Sequence, residues 1–115
     1  MRIAGNHVAD RDGEAESIGG NLRVERGVRF VVDGNVGGNL DGREDADVII
    51  GGNVGGNVKV ADGAMVSLEG NVGGNVKTEG DVSLHGRVGG NVEVYGYGEV
   101  ELDDASVGGA VRYHS

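Results

Sequence analysis

Residues 53–60 read Asn-Val-Gly-Gly-Asn-Val-Lys-Val, and residues 71–78, 18 positions on, read Asn-Val-Gly-Gly-Asn-Val-Lys-Thr. The same text recurs at 17–24 (SIGGNLRV), 35–42 (NVGGNLDG), 87–94 (RVGGNVEV) and 106–113 (SVGGAVRY). The Gly-Gly pairs that begin at Gly19, Gly37, Gly55, Gly73, Gly89 and Gly108 are separated by 18, 18, 18, 16 and 19 residues. A fixed period of this size reads as a solenoid, in which each repeat is one coil and cannot bury its apolar edge alone. One further pair, Gly51-Gly52, lies off this grid.

Aligning the repeats sets apolar residues in columns. Ile18, Val36, Val54, Val72, Val88 and Val107 form one, and Leu22, Leu40, Val58, Val76, Val92 and Val111 form another. Later in each repeat, apolar pairs recur as Phe30/Val32, Val48/Ile50, Val66/Leu68, Val82/Leu84 and Val100/Leu102. The last three pairs enclose Ser67, Ser83 and Glu101, an alternation with the period of a strand. In the first two, Val31 and Ile49 intervene, so the outward face is apolar there as well. The expected fold is all-β: a single-stranded parallel β-helix of about six turns, a rod ~30 Å long at ~4.8 Å per coil.

Gly-Gly and Asp-Gly steps suit corners, where positive φ or the absence of a side chain is required. Asn21, Asn39, Asn57, Asn75 and Asn91 make a further column, and Asn35, Asn53 and Asn71 a shorter one. Stacked amides can hydrogen-bond along the axis, and Asn tolerates left-handed backbone at a corner. The fourth repeat is two residues short and the fifth one residue long, so departures from the regular cross-section are expected there. Residues 1–16 echo the repeat only at Ile3-Ala4-Gly5-Asn6 and read as a degenerate first turn or an N-terminal cap, ahead of a β-helix over 17–115.

The 115 residues leave room for one domain, and 25 Gly with one Phe and no Trp rule out a core of bulky side chains. A formal charge of -9 argues against nucleic acid or an anionic membrane surface as partners. Lysine is confined to Lys59 and Lys77, a balance expected of a protein from a very salty cytoplasm. No stretch approaches the ~20 apolar residues of a membrane span, and the first 16 residues lack a signal-peptide pattern, so a cytoplasmic location without direct membrane insertion is expected.

Other periodic families make specific demands. Calcium-binding β-rolls need Gly and Asp where this chain has Leu22 and Val24, or Val58 and Val60. An ice-binding face needs repeated Thr, and Thr78 is the only one. The left-handed hexapeptide-repeat fold remains the alternative, because Ile18, Val24, Phe30 and Val36, then Val48, Val54, Val60, Val66 and Val72, keep a six-residue grid. Such a protein would be an acyltransferase-like enzyme or an inert trimer. His7, His85 and His114 share no metal-ligand spacing, so no catalytic, metal or cofactor-binding residue is assigned and no enzyme is expected.

The stacked NVGGNV turns over residues 17–113 resemble the bactofilin core, in particular the acidic archaeal halofilins. The resemblance implies a right-handed triangular β-helix. It also implies assembly without nucleotide into filaments lacking overall polarity, with a scaffolding role in cell shape. Bactofilins commonly carry Pro-containing tails and sometimes an apolar membrane-targeting segment. This sequence has neither, so a place at the cell periphery would depend on a membrane-associated adaptor protein. The principal partner is then the chain itself. Val107, Val111 and Tyr113 at one end of the rod and Ile18 and Leu22 at the other are the expected polymerisation surfaces, because open solenoid ends expose unpaired strand edges. Tyr95 and Tyr97, two apart in the fifth repeat, are candidates for a lateral contact.

Overall fold

A computed structural model describes residues 2–96, 99–102 and 106–114. Three parallel ladders run along the axis of a rod with extents of 36 × 25 × 19 Å. The first face stacks seven strands: His7–Ala9, Leu22–Val24, Leu40–Gly42, Val58–Val60, Val76–Thr78, Val92–Tyr95 and Val111–His114. The second stacks six: Gly13–Ala15, Arg29–Val32, Asp47–Ile50, Met65–Leu68, Asp81–Leu84 and Glu99–Leu102. The third is narrower, a line of single bridges through Ile18, Val36, Val54, Val72 and Val88, flanked by Arg2–Ile3 and Ser106–Val107. The fold is thus a parallel β-solenoid, with no helix among the described residues.

Register follows the apolar columns. Leu22, Leu40, Val58, Val76, Val92 and Val111 are Cα partners in succession, as are Phe30, Val48, Val66, Val82 and Val100. From Ile18 to Val94 the column residues are buried, and they form one continuous core along the shaft. A one-residue slip in any row would turn its Val and Leu side chains outward, so the pattern fixes the stack.

The Asn residues act differently from stacked amides. The backbone N–H of Asn39 donates to Oδ1 of Asn21 at 2.8 Å, and those of Asn57, Asn75 and Asn91 donate to the Asn one row earlier at 2.8–2.9 Å. Asn53 and Asn71 do the same on the second Asn column, which ends as Arg87 N–H donates to Asn71. Each side chain therefore closes a backbone hydrogen bond at a corner where the strand ladder is interrupted. None of these Asn residues has positive φ; Asp45 is the one such non-Gly residue described.

The glycines beside these amides are there for space. A Cβ on Gly38, Gly56, Gly74 or Gly90 would fall on Oδ1 of the Asn one row earlier, and a Cβ on Gly37 or Gly55 would fall on the carbonyl oxygen of Gly19 or Gly37. Gly51-Gly52 belongs to the second corner, where Gly52 lies over Gly34 and beside Asn35. Among the described residues, positive φ is confined to the corner between the first and second faces, at Gly27, Asp45, Gly63 and Gly96.

That corner also absorbs the short fourth repeat. Four residues join the two faces in the rows that begin at Leu22, Leu40 and Val58, as in Glu25–Val28, whereas only Glu79 and Gly80 join Thr78 to Asp81. The ladders on either side stay in register. Thr78, fully buried in the column of Val60 and Val94, donates its hydroxyl to the Gly80 carbonyl at 2.7 Å and accepts from the Gly80 N–H at 3.0 Å. The extra residue of the fifth repeat falls near 103–105, outside the described residues.

Two glycines give opposite expectations. Gly42 occupies an interior strand position, where a Cβ would sit 3.6 Å from Val66 Cγ2 and 3.8 Å from Val48 Cγ2, ordinary contacts without positive φ. Gly42→Ala is expected to stabilise the domain by about 0.5–1 kcal/mol in denaturant titrations. Gly56→Ala, which displaces Asn39 Oδ1, is expected to destabilise it by roughly 2–3 kcal/mol. Val58→Asp places an unpaired charge in the shaft and is expected to abolish the β-type circular dichroism and the melting transition.

Candidate functional site

The last row brings the interior columns to the surface. Val107, Val111 and Tyr113 are the register partners of the buried Val88, Val92 and Val94. Val107 and Val111 are only partly buried, and Tyr113 is 70% exposed although it shares a column with Val94, 1% exposed. Together with partly buried Val100, they make an apolar slice through the core at this end. Among the described residues, the backbone edges of the row are unpaired on the side facing away from the shaft. The Asn column stops here too: Ala110 N–H donates to Asn91 Oδ1 at 2.9 Å, but Ala110 offers no amide to a following row.

At the other end, Ile18 and Leu22 do not reach the surface. Both are 1% exposed, paired beneath Ile3 and His7 of the preceding row. The end residues are instead those of the row formed within 2–15, whose interior positions are Ile3, His7, Ala9, Gly13 and Ala15. All but Ile3 are small or polar where later rows have Leu, Val and Phe. The His7 ring lies 5.5 Å from Phe30, tilted by 37°, above the position that Gly13 leaves open for Phe30. Alignment of Ile3-Ala4-Gly5-Asn6 with Ile18-Gly19-Gly20-Asn21 carries the signal for this row, since Asn21 N–H donates to Asn6 Oδ1.

On the outer surface of the first face, Tyr95 is engaged by its neighbours. Its hydroxyl donates to Glu93 Oε2 at 3.3 Å, and Lys77 Nζ lies 5.2 Å from the ring centroid. Desolvation first, and the Glu93 carboxylate second, hold the phenol above its ordinary value of 10.0, so it stays neutral through the physiological range. Tyr97 lies outside the described residues.

The three histidines occupy separate parts of the rod. His7 is in the first row, His85 follows the strand Asp81–Leu84 with Nε2 3.3 Å from Ser83 Oγ, and His114 is on the last strand of the first face. No group of three or more His, Asp or Glu among the described residues is arranged to hold a metal ion. A depression of about 190 Å³ on the first face is lined by Lys59, Lys77, Arg43, Asp41, Glu44 and Glu79, charges of both signs that present no single-sign pocket to an ion.

His85→Ala is expected to leave the melting transition within about 0.5 kcal/mol of the parent and assembly unchanged. Ester hydrolysis, acyl transfer and hydration assays on the pair check this, and an activity lost in the variant would overturn it. No family model matches the chain, and no curated protein and no solved structure matches it.

Proposed function

We propose that this chain is a structural scaffold, not an enzyme, that polymerises end to end without nucleotide into filaments with a role in cell shape, as its resemblance to bactofilins implies. The observation that carries the reading is the apolar slice at the last row, where Val107, Val111 and exposed Tyr113 continue columns that are closed from Ile18 to Val94. A second copy stacked on that slice would bury the apolar side chains and pair the open strand edge, the two demands that each interior row meets through its neighbour.

The end of the Asn column favours a symmetric contact between two C-terminal ends. Stacking the first row of one copy on the last row of another would set the Asn6 N–H over Ala110, which has no side-chain acceptor. At the opposite end, contacts would involve Ile3 and His7 in place of Ile18 and Leu22. The net charge of -9 opposes any self-association at low salt and is screened within a few Å at high salt.

Purified protein is expected to form filaments in negative-stain micrographs at molar salt and to disperse at low salt. Val111→Glu is expected to keep the fold, because the side chain is at the end of the core, and to raise the concentration needed for assembly about 100-fold, equivalent to roughly 2.7 kcal/mol. Filaments from the variant at the parent's threshold would exclude this end contact. A parent protein that stays monomeric at molar salt would exclude the scaffold function.

A further inference from the structure

The outward side chains of the second face form two short columns. Down the shaft, one reads Arg29, Asp47, Met65, Asp81 and the other Val31, Ile49, Ser67, Ser83. The second column is apolar and large in its first two rows and small and hydroxylated in the next two. The first begins with a cation and ends with an anion. Between them lies a shallow depression of about 320 Å³, lined on its outer side by Asp47, Ile49, Met65, Ser67, Asp81 and Ser83. Met65 is 57% exposed in it.

We propose that this face is a lateral self-association surface, and that two copies pack on it with their shafts antiparallel. The two-fold axis lies in the interface, parallel to the strands, and passes between the row of Ile49 and the row of Ser67. That operation preserves strand direction and reverses row order, so each column meets itself upside down. Val31 then opposes Ser83 and Ile49 opposes Ser67, large against small in every case. In the other column Arg29 opposes Asp81, and Asp47 opposes Met65. Asp47 does not face an anion, and it keeps its own contact with Arg29, 3.8 Å from Nε to Oδ2. The alternative two-fold along the shaft would set Arg29 against Val31 and Met65 against Ser67, with no charge pair formed.

Size and charge set the strength. Four rows at ~4.8 Å and four residues at ~3.3 Å cover roughly 250 Å² per molecule, well under the ~800 Å² per partner of a standard stable interface. Free molecules therefore pair weakly, while copies held in line would multiply the contact. The net charge of -9 on each copy opposes the pairing until salt screens it.

The chain has no cysteine, which permits a register test independent of end contacts. Proteins carrying Val31→Cys or Ser83→Cys are treated, singly and mixed, with a bismaleimide of ~10 Å reach at molar salt and high protein concentration, about the spacing of packed sheets. The mixture is expected to give cross-linked dimer at least tenfold faster than either protein alone, because identical positions lie three rows apart across the interface. Adding Asp81→Arg to the Ser83→Cys chain is expected to remove that excess, and adding Arg29→Glu to the Val31→Cys chain is expected to restore it. Equal rates for the mixture and for Val31→Cys alone, or no rescue by the second charge change, would overturn the proposal. Repeating the experiment on the Val111→Glu background separates it from end-to-end assembly: cross-linking that persists there supports the lateral contact, and cross-linking that vanishes with the ends blocked refutes a contact of this face in its own right.

Discussion

The rows in the middle of the shaft rest on one another at two polar corners, and the rest of the structure depends on that contact being close. Strand pairing alone would leave the corner N–H groups without partners, because the chain turns there and the ladder is interrupted. The Asn side chain supplies the missing acceptor, and it can do so only because glycine on the row above leaves its oxygen room. Asn and Gly are thus one device, written as two residues. Val can then stack on Val along the interior with nothing wider at the corners to hold the rows apart.

The narrow core follows from the same spacing. A row contributes only a handful of inward side chains, all aliphatic or nearly so, and stability accumulates from contacts between neighbouring rows. Where a row departs from the pattern, its neighbours hold it in place. Thr78 sits in a Val column and still leaves no buried polar atom unpaired, since its hydroxyl both donates to and accepts from Gly80 in the shortened corner. Asp45 takes a left-handed backbone at the position that Gly27 and Gly63 fill in adjacent rows. The outer surface is under weaker constraint, which is why its columns can mix Arg23, Asp41 and Lys59 without disturbing the register.

Much of this is legible in the sequence because side-chain period and coil period are both short and regular. The interior columns from Ile18 to Val94 can be read directly, and burial follows them residue by residue. The role of the Asn columns is less legible: repetition shows that they stack, but not that the acceptor is an amide oxygen and the donor a backbone N–H. The first row is the hardest to read, since Ala9, Gly13 and Ala15 replace the large aliphatic residues that mark a coil, and only the pairing with Val24, Phe30 and Val32 places them inside. Ile18 and Leu22 look terminal for that reason, although a further row covers them. Symmetry between outward columns on the second face leaves no periodic trace, because it relates rows in reverse order.

The direction of the corner hydrogen bonds carries a consequence for how the rod is made. In each case the side-chain acceptor belongs to the earlier row and the backbone donor to the later one, from Asn6 and Asn21 to Asn91 and Ala110. These side-chain bonds therefore close on a template that already exists when the chain is synthesised from its N-terminus, whereas the next N–H along, such as that of Val54 or Val58, finds its acceptor, the carbonyl of Asn71 or Asn75, only when the following row arrives. Growth of the shaft can then proceed row by row during translation, each new coil supplying the acceptors that the one before it leaves open.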